Sequence, residues 1–545
     1  MLVKIFCAKC IGIEAVTVTV EVDIRSGIGI HLVGLGDTAV KESLLRTVNA
    51  LQSLGYNIPG KKIIINLAPA DLRKNGSGYD LPIALGIIAA SEQRRLPLLG
   101  EYILMGELGL NGEVREIPGS LAYAEMAGQQ GFRGCILPLR SAMEAVEYRE
   151  IGVYGIRTLD EAIRILSGEG DCREWLVWNT PEYARMRETP QLPDAVSSYM
   201  DFSEIIGQEQ AKRGVEIAAS GCHNVLLIGS PGSGKSSLAK AMAGILPPMS
   251  MEESVQTSKI YSVAGRSHSG VGLIRQRPFR APHYTASLPA LIGGGSDTIL
   301  PGEMSLAHNG VLFIDEFCEA PKKMIEALRA PMEDRRVVIS RLKSKVEYPA
   351  SFMLVAATNP CPCGWFGEGD RCTCTPGRRE AYLGRLSGPL LDRVDLQLWL
   401  KSVDPGKLVR GSVSETSEQV RARVTVAREI QALRFRDESV RVNAEMDNRM
   451  IRRYCPLDAR CQDYLEKVMT RLGLSARACT RIIRLARTIA DLQAALEWLE
   501  RHGSAGPAPD PVRDGDVAAG PIRVEHLAEA AGYRFLDRRN LFEGG

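Results

Sequence analysis

A chain of 545 residues, 45% hydrophobic and 6% aromatic, is long enough for three or four domains. Its net charge of +2 excludes a surface that traps polyanions wholesale, so any nucleic-acid contact has to be local. No apolar run reaches the ~20 residues of a bilayer span, the start Met1-Leu2-Val3-Lys4 lacks a secretory cleavage pattern, and thirteen cysteines suit free thiols or metal ligands better than a disulfide framework; the expectation is a cytoplasmic protein with no membrane partner. Residues 16–24 alternate strictly, with Val16, Val18, Val20, Val22 and Ile24 on one face of a half-buried strand. Val40, Leu44, Leu45, Val48 and Leu51 then recur at helical spacing over 38–54, residues 62–66 read as a strand, and 80–90 as a buried helix. Strands and helices mix, which predicts an α+β domain.

The run Lys74-Asn75-Gly76-Ser77-Gly78-Tyr79-Asp80, with the glycine-rich segment 106–121 after it, resembles the proteolytic domain of Lon-type proteases. That family cuts peptides with a serine and lysine pair. Aligned on Lys74-Asn75-Gly76, Gly78 stands where the nucleophilic serine belongs and Leu121 where the lysine belongs. Ser77 lies one residue away with no lysine opposite it. The resemblance thus implies a Lon-like fold over 1–167 that serves assembly or DNA contact, with no protease activity. Cys7 and Cys10 have metal-like spacing but no second pair nearby, and read as half-buried thiols.

Residues 168–200 carry scattered Trp, Pro and charge without periodicity and read as a connector. At 201 a second module begins. The apolar run 225–228 feeds Gly229-Ser230-Pro231-Gly232-Ser233-Gly234-Lys235-Ser236, with Ser237 opening a helix; strand, glycine loop and helix in that order form a phosphate-binding loop. Its amides and the helix N-terminus face the phosphates, Lys235 adds a cation for the β and γ phosphates, and Ser236 is placed to hold magnesium. A second apolar run, 311–314, ends in Asp315-Glu316. Carboxylates at the carboxyl end of a strand in an α/β sheet lie where ligands bind, so Asp315 suits the magnesium ion and Glu316 the attacking water. Together the two motifs predict an ATPase. Ile205-Ile206-Gly207-Gln208 resembles the segment lining the adenine pocket of AAA+ ATPases.

Between these motifs, residues 275–295 are basic and aromatic and end in Gly293-Gly294-Gly295; such a loop suits a phosphate backbone or a neighbouring subunit equally. A helix is expected over 321–332. Arg335, Arg336, Arg341, Lys343 and Lys345 then sit on two apolar arms around a polar tip, a basic hairpin or a solvated charged turn. Asn359 ends the next apolar run and matches the sensor 1 residue of AAA+ proteins. Cys361 and Cys363, then Cys372 and Cys374 after eight residues, form two close pairs that either supply a tetrahedral thiolate site for structural zinc or remain free thiols. Residues 405 onward are helical. Over 474–492 apolar residues recur at three and four spacing with cations between, Arg481, Arg484 and Arg487 reading as solvated or subunit-facing. A flexible insertion over 503–521 precedes a last helix over 523–538, with Val524, Leu527, Ala528 and Ala531 as its apolar side.

Taken together, the Lon-like region, the segment Asn359-Pro360-Cys361-Pro362-Cys363-Gly364 and the Ser475-Ala476-Arg477 helix resemble the bacterial ComM/YifB family, often labelled magnesium-chelatase-like. That resemblance implies a fold of the α/β class: an AAA+ P-loop core over 201–404 with a helical lid over 405–545, preceded by the α+β Lon-protease-like domain. It implies hexameric ATP-driven motors that move branched or single-stranded DNA in recombination and natural transformation, with ATP and Mg2+ as cofactors. In the related ATPases an arginine at the position of Arg393 reaches the γ-phosphate held by the adjacent subunit, although a salt-bridged helix cap fits the same residue. Arg477 fits sensor 2, leaning from the lid onto the nucleotide. A chelatase-like motor that remodels a protein partner is the alternative; the Lon-like region speaks against it, because the resemblance to chelatase motors covers only the AAA+ part.

Overall fold

The computed structural model describes residues 2–34, 38–74, 76–188, 199–266, 272–295, 298–341, 344–386, 388–403, 406, 414–503 and 520–537. Alternating β-branched residues build the first sheet. Strand β1 (Leu2–Ile11) pairs antiparallel with β2 (Glu14–Arg25), Ile5 opposite Val20. β3 (Gly29–Val33) runs parallel to β4 (Lys62–Ala68), which is antiparallel to β2. On the other side β5 (Tyr102–Leu104) lies beside β1, a small hairpin of β6 (Glu107–Leu108) and β7 (Val114–Arg115) follows, and β8 (Gly134–Pro138) and β9 (Gly152–Ile156) complete the order β3-β4-β2-β1-β5-β8-β9. Val18, Val20 and Val22 are fully buried, as the alternation predicts. The helix Asp80–Ala90 crosses that face so closely that a Cβ on Gly86 would come within 2.6 Å of Val22 Cγ2.

The second sheet is parallel throughout. It comprises β10 (Val225–Gly229), β11 (Phe279–Arg280), β14 (Val311–Ile314), β17 (Met353–Thr358) and β18 (Leu396–Leu400), in the order β11-β14-β17-β10-β18. Strands buried on both faces need continuous apolar runs, and alternate residues part between two cores. Val225, Leu227, Val311, Phe313, Val355 and Ala357 pack with the lid helices. Leu226, Ile228, Leu312, Ile314, Leu354 and Ala356 pack on the opposite side. Two short strands, β12 (Gly293–Gly294) and β13 (Leu300–Pro301), and the hairpin β15 (Arg336–Arg341) and β16 (Ser344–Pro349) cover that second side.

The carboxyl-terminal part is helical. Ser417–Arg434 opens on a capping box between Thr416 and Gln419, and the long helix Ala476–His502 sends Ile482, Leu485 and Ile489 into the first of those cores. Among the described residues no helix is long and apolar enough to cross a membrane.

Five expectations change. Cys7, read as half-buried, is fully buried, while Cys10 is half-buried as expected. The segment read as a connector folds as two 3-10 turns, Cys172–Trp175 and Val177–Asn179, and the helix Pro181–Glu188, because Trp175, Trp178 and Tyr183 find apolar surface on the amino-terminal core. The helix expected over 321–332 divides into Lys322–Ala327 and Arg329–Asp334. Arg487 is buried, not solvated, since Asp491 lies one turn on and forms an ion pair with it. The last helix spans Val524–Gly532, with Ala530 turned inward and Ala528 exposed. Most of the 503–521 insertion, residues 504–519, lies outside the described residues.

Candidate nucleotide site

Three parallel strands deliver their carboxyl ends to one edge: Gly229 from β10, Asp315 just after β14 and Asn359 just after β17. In the loop Gly232 and Gly234 take φ of 78° and 89°, a region where a side chain is strained. At Gly229 a Cβ would meet the Leu400 carbonyl oxygen at 2.6 Å. Lys235, 9% exposed, donates to the carbonyls of Gly229 (2.7 Å) and Ser230 (3.0 Å) and to Asn359 Oδ1 (3.2 Å). Burial lowers its ammonium below the usual lysine range, against the opposing pull of Asp315 and Glu316. Ser236 Oγ donates to Asp315 Oδ2 at 2.8 Å, so the hydroxyl and the carboxylate that suit magnesium converge. Glu316 holds a left-handed φ of 49°, with its amide donating to Asp315 Oδ1 at 2.9 Å. Local strain of that kind persists where the surroundings enforce it, and it leaves the Glu316 carboxylate exposed beside the loop. Gln208, also left-handed, donates to the carbonyls of Ser233 (3.1 Å) and Lys401 (2.6 Å). Among the described residues the buried Ser233 Oγ has no hydrogen-bond partner. These groups fit a magnesium nucleotide: glycine cradle, cation, hydroxyl and carboxylates on one sheet edge.

The cysteine loop abuts this edge. Cys361 Sγ lies 3.3 Å from Cys363 Sγ and 3.8 Å from Cys372 Sγ, Cys363 and Cys372 are 3.7 Å apart, and all four sulfurs including Cys374 fall within 4.8 Å of one another. The cluster could hold a metal ion. Glu368, between the two pairs, accepts from Ser230 Oγ (2.9 Å) and from the Ser402 amide (2.7 Å). Burial alone would raise this carboxyl, but the Ser402 and Ser230 hydrogen bonds and Arg371 hold it below the usual range. Sequence reasoning missed Glu368; an acidic residue in a loop carries no pattern that says which backbone it meets.

Arg393 and Arg477 lie elsewhere. Asn224, the residue before β10, donates its side-chain amide to the Arg393 carbonyl (3.2 Å) and its backbone amide to Asp395 (3.0 Å), which puts all three at the amino edge of the sheet. Arg481 pairs with Asp395 at 2.5 Å, and Arg477 is one turn before it on the same helix. Strand β10 is five residues long, so this edge stands ~16 Å from the phosphate loop at ~3.3 Å per residue. Arg477 is therefore not leaning onto the nucleotide loop of its own chain as the sensor 2 reading expected. It is exposed and lines an 890 Å³ cavity with Arg335, Asp395, Arg481 and Arg484, one that no residue of the phosphate loop lines. Arg393 is buried, with Nη2 2.7 Å from Glu333 and Nη1 donating to the Pro389 carbonyl at 2.6 Å.

Comparison with known proteins identifies the family. Residues 201–408 match the family model described as magnesium chelatase, subunit ChlI, 414–503 match its C-terminal counterpart, and 20–141 match a model described as subunit ChlI of Mg-chelatase. "Uncharacterized protein YifB" of Escherichia coli is 42% identical over 535 residues, 97% of this chain and 96% of that protein. "Competence protein ComM" of Haemophilus influenzae is 38% identical over 536 residues, 98% and 97% of the two chains. The chain belongs to the ComM/YifB family. A more distant relative, the "Magnesium-chelatase 38 kDa subunit" of Cereibacter sphaeroides, is 26% identical over 29% of this chain and 52% of its own length. The chelatase description thus reaches beyond the AAA+ core, into residues 20–141, contrary to the expectation from sequence, and the amino-terminal region does not speak against the chelatase alternative.

In this ComM/YifB chain the basic arms do form an antiparallel hairpin. Val337, Ile339, Val346 and Tyr348 turn inward, Arg336 and Lys345 lie on the opposite, outer face, and Arg341, exposed at the tip, follows Ile339 onto the inner side with its guanidinium beside Gly294. Lys343 lies outside the described residues. Arg336 pairs with Glu347 at 3.0 Å. Arg335 does not join this face: it caps the helix Arg329–Asp334 and donates to the Phe352 carbonyl at 3.3 Å, under the hairpin's base. The basic insertion is largely neutralised in place, Arg275 by Glu147, Arg277 by Glu253 and Arg280 by Glu303, at 2.6–2.8 Å. In the Lon-like region a Cβ on Gly78 would come 2.9 Å from Met105 Cε, Leu121 is buried in the core, and Ser77 Oγ donates to Glu107.

Proposed function

We propose that this ComM/YifB-family ATPase is a DNA motor that drives branch migration of recombination intermediates, including those formed during natural transformation, and that it works as a hexameric ring. The observation that carries the reading is the division of the ATP machinery between two sheet edges. Lys235, Ser236, Asp315, Glu316 and Asn359 share the carboxyl edge, while Arg393 and Arg477 stand at the amino edge, too far away to serve the same nucleotide. Stacking one subunit's amino edge on the next subunit's phosphate loop completes each site. Such an arrangement links hydrolysis to contact between neighbours.

Within that site Lys235 binds the β and γ phosphates, and Ser236 and Asp315 hold magnesium, which neutralises phosphate charge when bound. Glu316 orients and deprotonates the attacking water, and Asn359 fixes its position. Arg393 of the neighbour leaves its Glu333 partner to meet the γ-phosphate, and Arg477 joins it. Arg336, Arg341, Lys343 and Lys345 present cations to DNA phosphates with little regard to base sequence; Arg335, turned under the hairpin, is left out. That a relative is named for competence supports the DNA side of the reading.

The test is ATP-dependent migration of a synthetic four-way junction by the purified protein, with Lys235→Ala as control. Movement by the wild type alone is expected. ATP hydrolysis that neither moves nor responds to junction DNA would sink the motor reading. The chelatase descriptions matched by three stretches of the chain favour one second reading, a motor that remodels a protein partner; hydrolysis indifferent to every DNA form is its signature.

A further inference from the structure

The loop 361–374 leaves the sheet immediately after Asn359 and returns at the helix Pro376–Leu383, and its one regular element is the 3-10 turn Gly369–Arg371. A segment so poor in backbone pairing needs another source of shape. Its four thiols supply one. Four sulfurs at tetrahedral corners 2.3 Å from a zinc ion stand ~3.8 Å apart, and the Cys361–Cys372 and Cys363–Cys372 separations are 3.8 and 3.7 Å. The thiols are free of disulfides, and the 3.3 Å between Cys361 and Cys363 far exceeds a ~2.05 Å S–S bond. Four soft ligands in a closed tetrahedron select zinc over the harder divalent ions and leave no coordination position for substrate.

The same loop grips the nucleotide site at three places. Asn359, two residues before Cys361, accepts from Lys235 Nζ. Gly364, at φ 84°, sits so close to the phosphate loop that a Cβ there would lie 2.9 Å from Pro231 Cγ and Cδ. Glu368 ties Ser230 Oγ to the Ser402 amide, bridging the loop to the end of β18. Beyond it Phe366 packs edge-on against Trp399 of β18, under the Arg379 guanidinium.

We propose that Cys361, Cys363, Cys372 and Cys374 bind one zinc ion, and that this ion holds the phosphate loop 229–236 in its binding shape by fixing Asn359, Gly364 and Glu368 against it. The consequence for ATP rests on the nucleotide reading above; the structural coupling does not. Metal content and hydrogen exchange are therefore measured on the full-length chain before any activity. The wild type is expected to carry one zinc per chain. Cys372→Ser should lose it and speed exchange in peptides covering 229–236 and 359–364 by about tenfold or more, local opening being the step the ion opposes. Glu368→Gln guards against misfolding of the cysteine variant: it should keep its zinc, yet still speed exchange at 229–236. Cys479→Ser, a half-buried thiol outside the cluster, should change neither.

No zinc in the wild type, or iron in its place, would overturn the proposal. So would zinc loss that leaves exchange at 229–236 unchanged. If the metal and exchange results come out as expected but the wild type hydrolyses no ATP, the coupling stands and the ATPase reading falls.

Discussion

At the scale of single residues, the nucleotide edge separates holding ATP from cleaving it. Lys235 is nearly enclosed and contacts the loop it serves, whereas Glu316 is exposed beside the loop. Lys235→Ala should therefore lose nucleotide affinity itself, read as a fall in binding of a fluorescent ATP analogue. Glu316→Gln should bind the analogue normally but slow turnover by about 10²- to 10⁴-fold, the range for removing a general base. A second residue effect is structural. His308 is buried, accepts the Ser351 amide on Nδ1 (3.0 Å) and donates Nε2 to Gln256 (3.3 Å), a pairing that requires the neutral ring. Burial pushes it down to about 4. Because the unfolded chain takes up this proton near 6.5, the contribution is complete above that value and is lost as pH falls from 6.5 towards 4, about 3 kcal/mol in all. The urea midpoint should drop more between pH 7 and 4.5 for the wild type than for His308→Gln, and an equal drop would contradict this account.

At the scale of elements, what was legible in the chain is what local pattern encodes. The phosphate loop was readable because strand, glycines and helix are contiguous, and the hairpin because apolar residues alternate on both arms. Edges were not readable. Helical spacing places Arg477 and Arg481 on one face of Ala476–His502, but only the contact of Arg481 with Asp395 reveals that this face meets the amino edge of the sheet. Arg335 and Arg336 are neighbours in sequence, yet the left-handed turn at Arg335, φ 56°, sends the two side chains to different surfaces. The cations of the 275–295 insertion looked available only because Glu147, Glu253 and Glu303 are remote in sequence.

The hairpin carries a prediction of its own. Each phosphate contact releases counterions, so the logarithm of DNA affinity falls with the logarithm of salt by about 0.9 per contact. Arg341→Ala and Lys345→Ala should each flatten that slope by roughly one and weaken binding alike for unrelated sequences. Arg335→Ala should leave the slope unchanged. A sequence-dependent loss would show that the hairpin reads bases.

At the scale of the whole molecule, the position of Arg393 sets a condition on assembly. Its guanidinium is buried against Glu333 in the single chain, so a role at a neighbour's γ-phosphate requires that pair to open as subunits meet. Arg393→Ala should then bind ATP as the wild type does but hydrolyse it about 10³- to 10⁵-fold more slowly, the usual worth of such an arginine. The decisive comparison is a mixture. Lys235→Ala has a broken phosphate loop and an intact arginine edge, while Arg393→Ala has the reverse. In a mixed ring, an Arg393→Ala subunit whose loop faces a Lys235→Ala neighbour recovers a complete site, so combining two inactive proteins should restore a measurable fraction of wild-type turnover. Turnover per chain should also rise with protein concentration until assembly saturates. A mixture as inactive as its parts, beside wild-type turnover independent of concentration, would mean that each chain completes its own site and that Arg393 is a structural partner of Glu333.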